Sequence, residues 1–160
     1  DWTYSLVIPS GHAAAAGQIR SSYHALHRAL GEAMTSLGAP TTLIGPPTEK
    51  GGHGDFPSTP GHCFEEPVVH DLSLPNGGPK IAGAAMKKGR EGLLLQGSIQ
   101  RNLLGSFPWE QLPAAFAGRI AAFLDTTEQP GAWPASLEKA RQPFLEEMAE
   151  PAWQRRPIRS

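Results

Sequence analysis

The only thiol of this chain is Cys63, and its surroundings suit covalent chemistry. His62 precedes it directly, and Lys80 lies farther along, across a predicted hairpin. A nearby cation lowers the pKa of a thiol and raises its thiolate fraction, which acyl transfer through a thioester would use. The alternative is that a lone cysteine packs as a small buried apolar residue.

A metal site is the next possibility, because histidines occur close together. His24 and His27 lie three residues apart on a predicted helix, and a second group falls between His62 and Asp71. Zinc sites favour tighter pairs such as Cys-x-x-Cys, which the sequence lacks. We therefore expect exposed helix and loop histidines and no metal.

A second candidate for chemistry is Lys80, which begins the segment Lys-Ile-Ala-Gly-Ala-Ala at residues 80–85. Gly and Ala are poor strand formers because they offer little side-chain area to pack. Close approach of a ligand to the backbone is one reason to keep them, and a lysine there would hold a carbonyl or phosphate oxygen by charge-assisted hydrogen bonds. The alternative is a surface lysine beside a tightly packed sheet.

The elements that would position these residues follow from hydrophobic periodicity. Residues 2–8 alternate with period two and predict a strand. Large apolar residues at steps of three and four predict a helix over 13–37, which Gly38 would end. Further along, the patterns predict a short strand at 41–44, an antiparallel meander of three strands at 68–74, 80–87 and 92–99, and helices around 112–124 and 137–148.

Three local signals refine this outline. Asn76-Gly77 lies between two extended runs and predicts a hairpin. Residues 45–62 hold 5 Gly and 4 Pro in 18 positions, which is typical of a mobile active-site lid or of a bland insertion. Pro143 removes a hydrogen-bond donor, so it should kink or split the last helix.

Composition limits the class of protein. A chain of 160 residues suffices for one core, and its 18 Gly and 16 Pro stay below the share typical of disorder. A net charge of −1 gives no electrostatic footprint for nucleic acid. No apolar run approaches the roughly 18 residues of a membrane-spanning helix. The single cysteine fits a reducing compartment, and we expect a cytoplasmic location.

Four motifs in order resemble the lipoate–protein ligase and octanoyltransferase superfamily, which includes biotin–protein ligase. They are Cys63-Phe64-x-x-Pro67, Asp71-Leu72, Asn76-Gly77-x-x-Lys80-Ile81-Ala82-Gly83-x-Ala85 and Leu94-Leu95-Gln96-Gly97-Ser98-Ile99. Residues 2–8 are similar to the segment that precedes this block in the family. The resemblance spans about residues 1–105.

The resemblance implies an α/β (α+β) catalytic domain over residues 1–125, with a mixed, mainly antiparallel sheet flanked by helices. We expect a linker at 126–134 and a helical extension at 135–160. The family's Arg-x-x-Gly-Gly-Gly segment is absent from the sequence. Because the chain starts at Asp1 and enters a strand-like run at once, we expect that segment to lie upstream.

The resemblance also implies roles for individual residues. Cys63 matches the nucleophile of one octanoyltransferase branch, which takes octanoyl from acyl carrier protein and passes it to a lysine of a lipoyl domain or glycine cleavage H protein. Lys80 matches the lysine that contacts the acyl carbonyl. The expected substrate-binding residues are Tyr4, Ser5, Asp71, Gly83, Ala85, Gln96, Gly97 and Ser98.

Two alternatives stay open beside a transferase that requires no cofactor. An ATP-dependent lipoate or biotin ligase would form an acyl-adenylate with ATP and Mg²⁺, and Cys63 would then be incidental. A non-catalytic family member would bind lipoyl domains or acyl groups without turnover. On all three hypotheses the partners are proteins or acyl groups rather than nucleic acid or membrane.

Overall fold

The computed structural model describes residues 1–46, 68–132 and 134–149. The predicted loop at 45–62 therefore lies almost wholly outside the described residues. Among these residues, compactness separates a first unit, which ends at Glu128, from a second unit, which begins at Gln129. The boundaries 1–125, 126–134 and 135–160 stay a prediction.

Within the described part of the first unit, five strands form one antiparallel sheet in the order β1-β5-β4-β3-β2. The strands are β1 (Trp2–Pro9), β2 (Thr42–Leu43), β3 (Leu72–Ser73), β4 (Lys80–Gly89) and β5 (Gly92–Ile99). The predicted meander is confirmed as β3-β4-β5. Every described strand pairing is antiparallel, and the parallel pairing that a mixed sheet would contain does not occur among the described strands.

The predicted strand at 68–74 is wrong over most of its length, because only Leu72 and Ser73 pair with β4. Residues 69–70 form a turn, and His70 has a left-handed φ of 77°. The hairpin signal is confirmed between β3 and β4. Asn76 and Gly77 take φ values of 58° and 74°, the left-handed pair that a tight turn of this kind requires.

The predicted helix over 13–37 is two helices, α1 (Ala13–Ala16) and α2 (Ile19–Ser36). The break falls at Gly17, where the backbone is extended. The His12 side chain caps α1 by accepting the Ala14 N–H at 3.1 Å. Gly38 follows the end of α2 with a φ of 91°, as a C-terminal glycine should.

The core lies between one face of the sheet and two helices, α2 and α3 (Leu112–Phe123). Leu26, Leu30 and Met34 form the fully buried stripe of α2. Ile19, the first apolar residue of the predicted stripe, is 44% exposed because α2 only begins there. A 3-10 helix at Arg101–Leu103 connects β5 to the segment before α3.

The second unit contains α4 (Ala135–Ala149), with Pro143 inside the helix. The helix therefore continues past the proline instead of splitting there. No helix in the described ranges is both long and apolar enough to cross a membrane.

Candidate active site

The site is built around one buried ion pair. The Lys80 Nζ lies 2.8 Å from Asp71 Oδ2, and the two side chains are only 7% and 1% exposed. A buried ammonium or carboxylate is costly unless a partner and further hydrogen bonds compensate its lost hydration. Asp71 directly precedes the short β3 and Lys80 begins β4, and the pairing of the two strands brings the charges together from nine residues apart.

The Asp71 carboxylate is fixed by three donors. Oδ2 accepts the Val68 N–H at 2.9 Å as well as the lysine, and Oδ1 accepts the Tyr23 hydroxyl at 2.5 Å. The turn before it is tied to the neighbouring strand, because Ile44 exchanges two backbone hydrogen bonds of 2.8 Å, one with His70 and one with Asp71. The carboxylate is therefore held from the backbone as well as from α2.

A register shift explains how Lys80 reaches this position. The pairing between β3 and β4 changes by one residue between Ser73–Lys80 and Leu72–Ala82, as in a β-bulge. In a regular strand, residues three apart point to opposite faces. Here a Cβ added at Gly83 would lie 2.7 Å from Lys80 Cε, so the lysine covers the glycine. Only a residue without a side chain leaves that space for the ammonium.

Gln100 provides the hydrogen bonds that the backbone carbonyls beside this bulge require. Its side-chain amide donates to the Lys80 carbonyl at 3.0 Å, and its N–H donates to the Ile81 carbonyl at 2.9 Å. Both carbonyls beside the shift are thereby satisfied.

A second buried network lies behind the ion pair, around His27. Its Nδ1 must donate to the His70 carbonyl at 2.7 Å, because a carbonyl only accepts. The neutral ring then accepts the Tyr4 hydroxyl at Nε2, over 3.1 Å. Burial lowers the pKa of His27, which keeps this ring neutral. His27 is fully buried, so the expectation of an exposed helix histidine is wrong for this residue, which supports the site from inside the core.

The expected substrate-binding residues divide between the two faces of the sheet. Cross-strand pairing aligns Ser5 with Gln96 and Gln96 with Ala85, and all three are exposed. Gly83 pairs with Ser98 in the next row of the same face. Because Lys80 covers Gly83, its ammonium lies on this face too.

Tyr4 and Gly97 lie on the opposite face, toward the core. They are paired across β1 and β5, and a Cβ at Gly97 would lie 2.4 Å from the Tyr4 ring. The glycine therefore makes room for the protein's own tyrosine. The structure does not bring these two residues together with the exposed row of Ser5, Gln96 and Ala85.

Cys63 and His62 lie outside the described residues, so the thiol chemistry stays a prediction. His24 and His70 form an edge-to-face pair with ring centroids 4.7 Å apart. In the parts of the chain that the structure describes, no three His, Cys, Asp or Glu side chains are grouped to hold a metal ion.

Sequence patterns did not identify Tyr23, His27 or Gln100 as part of the site. Tyr23 sits in the apolar stripe of α2, where an aromatic residue is normally core. The available signal is that a stripe otherwise made of Ile, Leu and Met carries a tyrosine and, one turn later, a histidine. Both carry a polar group that needs a partner when it is buried.

No family model matches the chain. The sequence is similar to octanoyltransferase LipM of Oceanobacillus iheyensis, with 28% identity over 155 aligned residues that cover 92% of this chain and 54% of that protein.

Solved structures share the fold. One is a Thermoplasma acidophilum protein described as a lipoate protein ligase with bound lipoic acid, at a TM-score of 0.61 and 13% identity over 94% of this chain and 63% of the other. Another is lipoate-protein ligase A bound with ATP, at a TM-score of 0.60 and 15% identity over 94% of this chain and 63% of the other. The chain thus spans about half the length of the curated relative and under two thirds of these solved chains.

Proposed function

We propose that the chain belongs to the lipoate–protein ligase and octanoyltransferase superfamily and, on that premise, that it transfers an octanoyl or lipoyl group in protein lipoylation. The observation that carries the proposal is the buried Lys80–Asp71 pair. It fixes the lysine ammonium on the same face of the sheet as the exposed residues Ser5, Gln96 and Ala85. We propose that the donor is acyl carrier protein and the acceptor a lysine of a lipoyl domain or H protein, in the cytoplasm.

The proposed reaction has two steps that need no cofactor. The Cys63 thiolate attacks the carbonyl carbon of the donor thioester, a new carbon–sulfur bond forms, and the donor thiol leaves as a thiolate that takes up a proton. The acceptor lysine amine then attacks the Cys63 thioester. The amide forms, the amine loses its proton, and Cys63 is released as a thiolate.

Lys80 is proposed to stabilise the oxyanion that develops in each step. An ammonium fixed in advance by Asp71 stabilises negative charge without reorganising during the reaction. The small exposed side chains of Ser5 and Ala85 are proposed to leave space for the acyl chain beside it.

The test is incubation with octanoyl-loaded acyl carrier protein, followed by intact-mass measurement. We expect one octanoyl adduct that hydroxylamine removes and that is lost in Cys63→Ala. Because the chain has a single cysteine, the variant leaves no other thiol to substitute. Loss of activity in Lys80→Ala has to be compared with the stability of that variant, since it leaves the Asp71 charge buried.

An ATP-dependent ligase is the second candidate, and the shared fold with an ATP-bound lipoate-protein ligase favours it. ATP would activate a free carboxylate as an adenylate, and Lys80 is proposed to contact the same acyl carbonyl. Lipoate loading of a lipoyl domain that requires ATP, without a Cys63 adduct, would establish this function and contradict the transferase. Binding of lipoyl domains with neither reaction would identify a non-catalytic member.

A further inference from the structure

The hydrogen-bond ladder of β4 is completed by a side chain. β3 begins at Leu72, opposite Ala82, and the chain before it turns at His70 instead of pairing with β4. Two residues farther along β4, the N–H and the carbonyl of Ala84 each lie 3.1 Å from the Tyr23 hydroxyl of α2. A phenol thus takes the place beside Ala84 that a longer β3, beginning before Leu72, would have filled.

The same hydroxyl reaches the ion pair. Its single proton goes to Asp71 Oδ1 at 2.5 Å, because a carboxylate is a stronger acceptor than an amide carbonyl. The hydroxyl oxygen then accepts the Ala84 N–H. Burial raises the pKa of Tyr23 and the Asp71 carboxylate raises it further, so the phenol stays a donor through neutral pH.

These contacts close a ring. From Lys80 the path runs through the Asp71 carboxylate and the Tyr23 hydroxyl to Ala84, and β4 itself leads back from Ala84 to Lys80. Gly83, which the lysine covers, is one of the β4 residues of this ring. We infer that Tyr23 is a positioning residue, which acts through Asp71 to fix the Lys80 ammonium over Gly83.

The effect on catalysis rests on the proposed function, whereas the effect on Lys80 does not. Tyr23→Phe keeps the ring and removes only the hydroxyl. Ser22→Ala is the matched control, because Ser22 is also a buried hydroxyl of α2 but donates to the Ala14 carbonyl at 3.0 Å, away from the ion pair.

The first readout is the rate at which acetic anhydride acetylates Lys80, measured by peptide mapping against the exposed Lys87 of the same molecule. We expect about a tenfold increase in Tyr23→Phe, in line with the loss of one hydrogen bond to a charged group, and no change in Ser22→Ala. An unchanged Lys80 rate in a folded Tyr23→Phe protein overturns the inference.

The second readout is acyl transfer. We expect kcat to fall about tenfold in Tyr23→Phe with KM for the loaded carrier protein unchanged, because only the position of the ammonium is affected. If the acetylation rate changes but the wild-type chain transfers no acyl group, the proposed function fails and the positioning role stands. A fall in kcat with an unchanged acetylation rate overturns the role assigned to Tyr23.

If Tyr23→Phe does not fold, fluorine NMR of a chain that keeps Tyr23 replaces the two readouts above. The chain has two tyrosines, and 3-fluorotyrosine labels both. We expect Lys80→Gln to move the Tyr23 resonance through Asp71 and to leave that of Tyr4, which bonds to His27 instead. A Tyr23 resonance that does not respond to Lys80→Gln overturns the inference.

Discussion

At the scale of single residues, burial determines how Lys80 and Asp71 affect stability. Removing one partner of a buried pair leaves the other charge uncompensated, so we expect Lys80→Met to cost about 3–5 kcal/mol in the free energy of unfolding. The double variant with Asp71→Asn should recover part of that loss, because no buried charge remains. Urea denaturation of the wild type, the single variants Lys80→Met and Asp71→Asn, and the double variant measures both effects.

The exposed pair of Arg119 and Glu32 is the control for this experiment. Their charged atoms lie 3.1 Å apart with both side chains 47% exposed, so Arg119→Met should cost only about 0.2–1 kcal/mol. Equal losses at the two sites would contradict the assignment of Lys80–Asp71 as a buried pair.

His27 gives a prediction about pH. Burial lowers its pKa and a nearby Lys80 adds to this, while the His70 carbonyl and Asp71 oppose it. In the unfolded chain the imidazole titrates near its ordinary pKa of about 6.5. Below that pH the unfolded state binds the extra proton, so stability is fully present above about pH 6.5 and falls as the pH is lowered further.

The measurement is the free energy of unfolding in urea between pH 8 and pH 5. The pKa of His70 is also lowered, owing to partial burial and the neighbouring His24 and Arg20. His70 therefore contributes to the pH dependence of stability with the same sign as His27. His27→Asn keeps a donor toward the His70 carbonyl and removes one titrating group. We expect a shallower pH dependence in this variant, and parallel curves for the two proteins would refute the role given to burial.

At the scale of elements, side chains that pack closely against the sheet determine which strand glycines tolerate substitution by alanine. Gly97→Ala would place a Cβ against the Tyr4 ring, which is also held by an edge-to-face contact with Phe116 at 5.4 Å between centroids. Because that ring cannot move aside freely, we expect a loss of about 1–3 kcal/mol in the free energy of unfolding.

Gly89→Ala is the matched substitution at the end of β4. A Cβ there meets nothing within 4 Å, so we expect a change in the free energy of unfolding within about 0.5 kcal/mol. Thermal unfolding of the two variants side by side tests the difference. A tolerated alanine at Gly97 would mean that Tyr4 is not fixed over that position.

Local pattern was enough for the elements whose partners are near in sequence. The Asn-Gly turn and the strand-like runs at 80–87 and 92–99 predicted the β3-β4-β5 meander, and the stripe of Leu26, Leu30 and Met34 predicted α2. The short β3 and the shift at Lys80 could not be predicted, because both depend on the backbone bonds of Ile44 and Gln100. These bonds join segments about 20 residues or more apart.

The candidate site likewise contains residues that the sequence predicts and residues that it does not. Lys80, Asp71 and Gly83 were found because they stand in recognisable motifs. Tyr23 was not found as a functional residue, because its hydroxyl partners at Asp71 and Ala84 lie 48 and 61 residues away. In sequence it fits an ordinary core position of α2.

At the scale of the whole molecule, the buried residues concentrate in one part of the chain. Among the described residues, the core residues run from Tyr4 to Ala121, inside the first compact unit. We therefore expect a chain ending at Glu128 to unfold in urea as one cooperative transition and to keep Lys80 protected from acetylation. A broad transition without a folded baseline would show that the first unit needs residues beyond 128.

The register shift beside Lys80 also has a consequence for sequence alignment. The spacing Lys-x-x-Gly places the ammonium over the glycine only because one residue of β4 is extra relative to β3. An alignment that opens a gap between these two positions implies either that the bulge is lost or that the lysine emerges on the other side of the sheet. The number of residues between them is therefore a quick criterion for deciding which distant homologues retain the same arrangement.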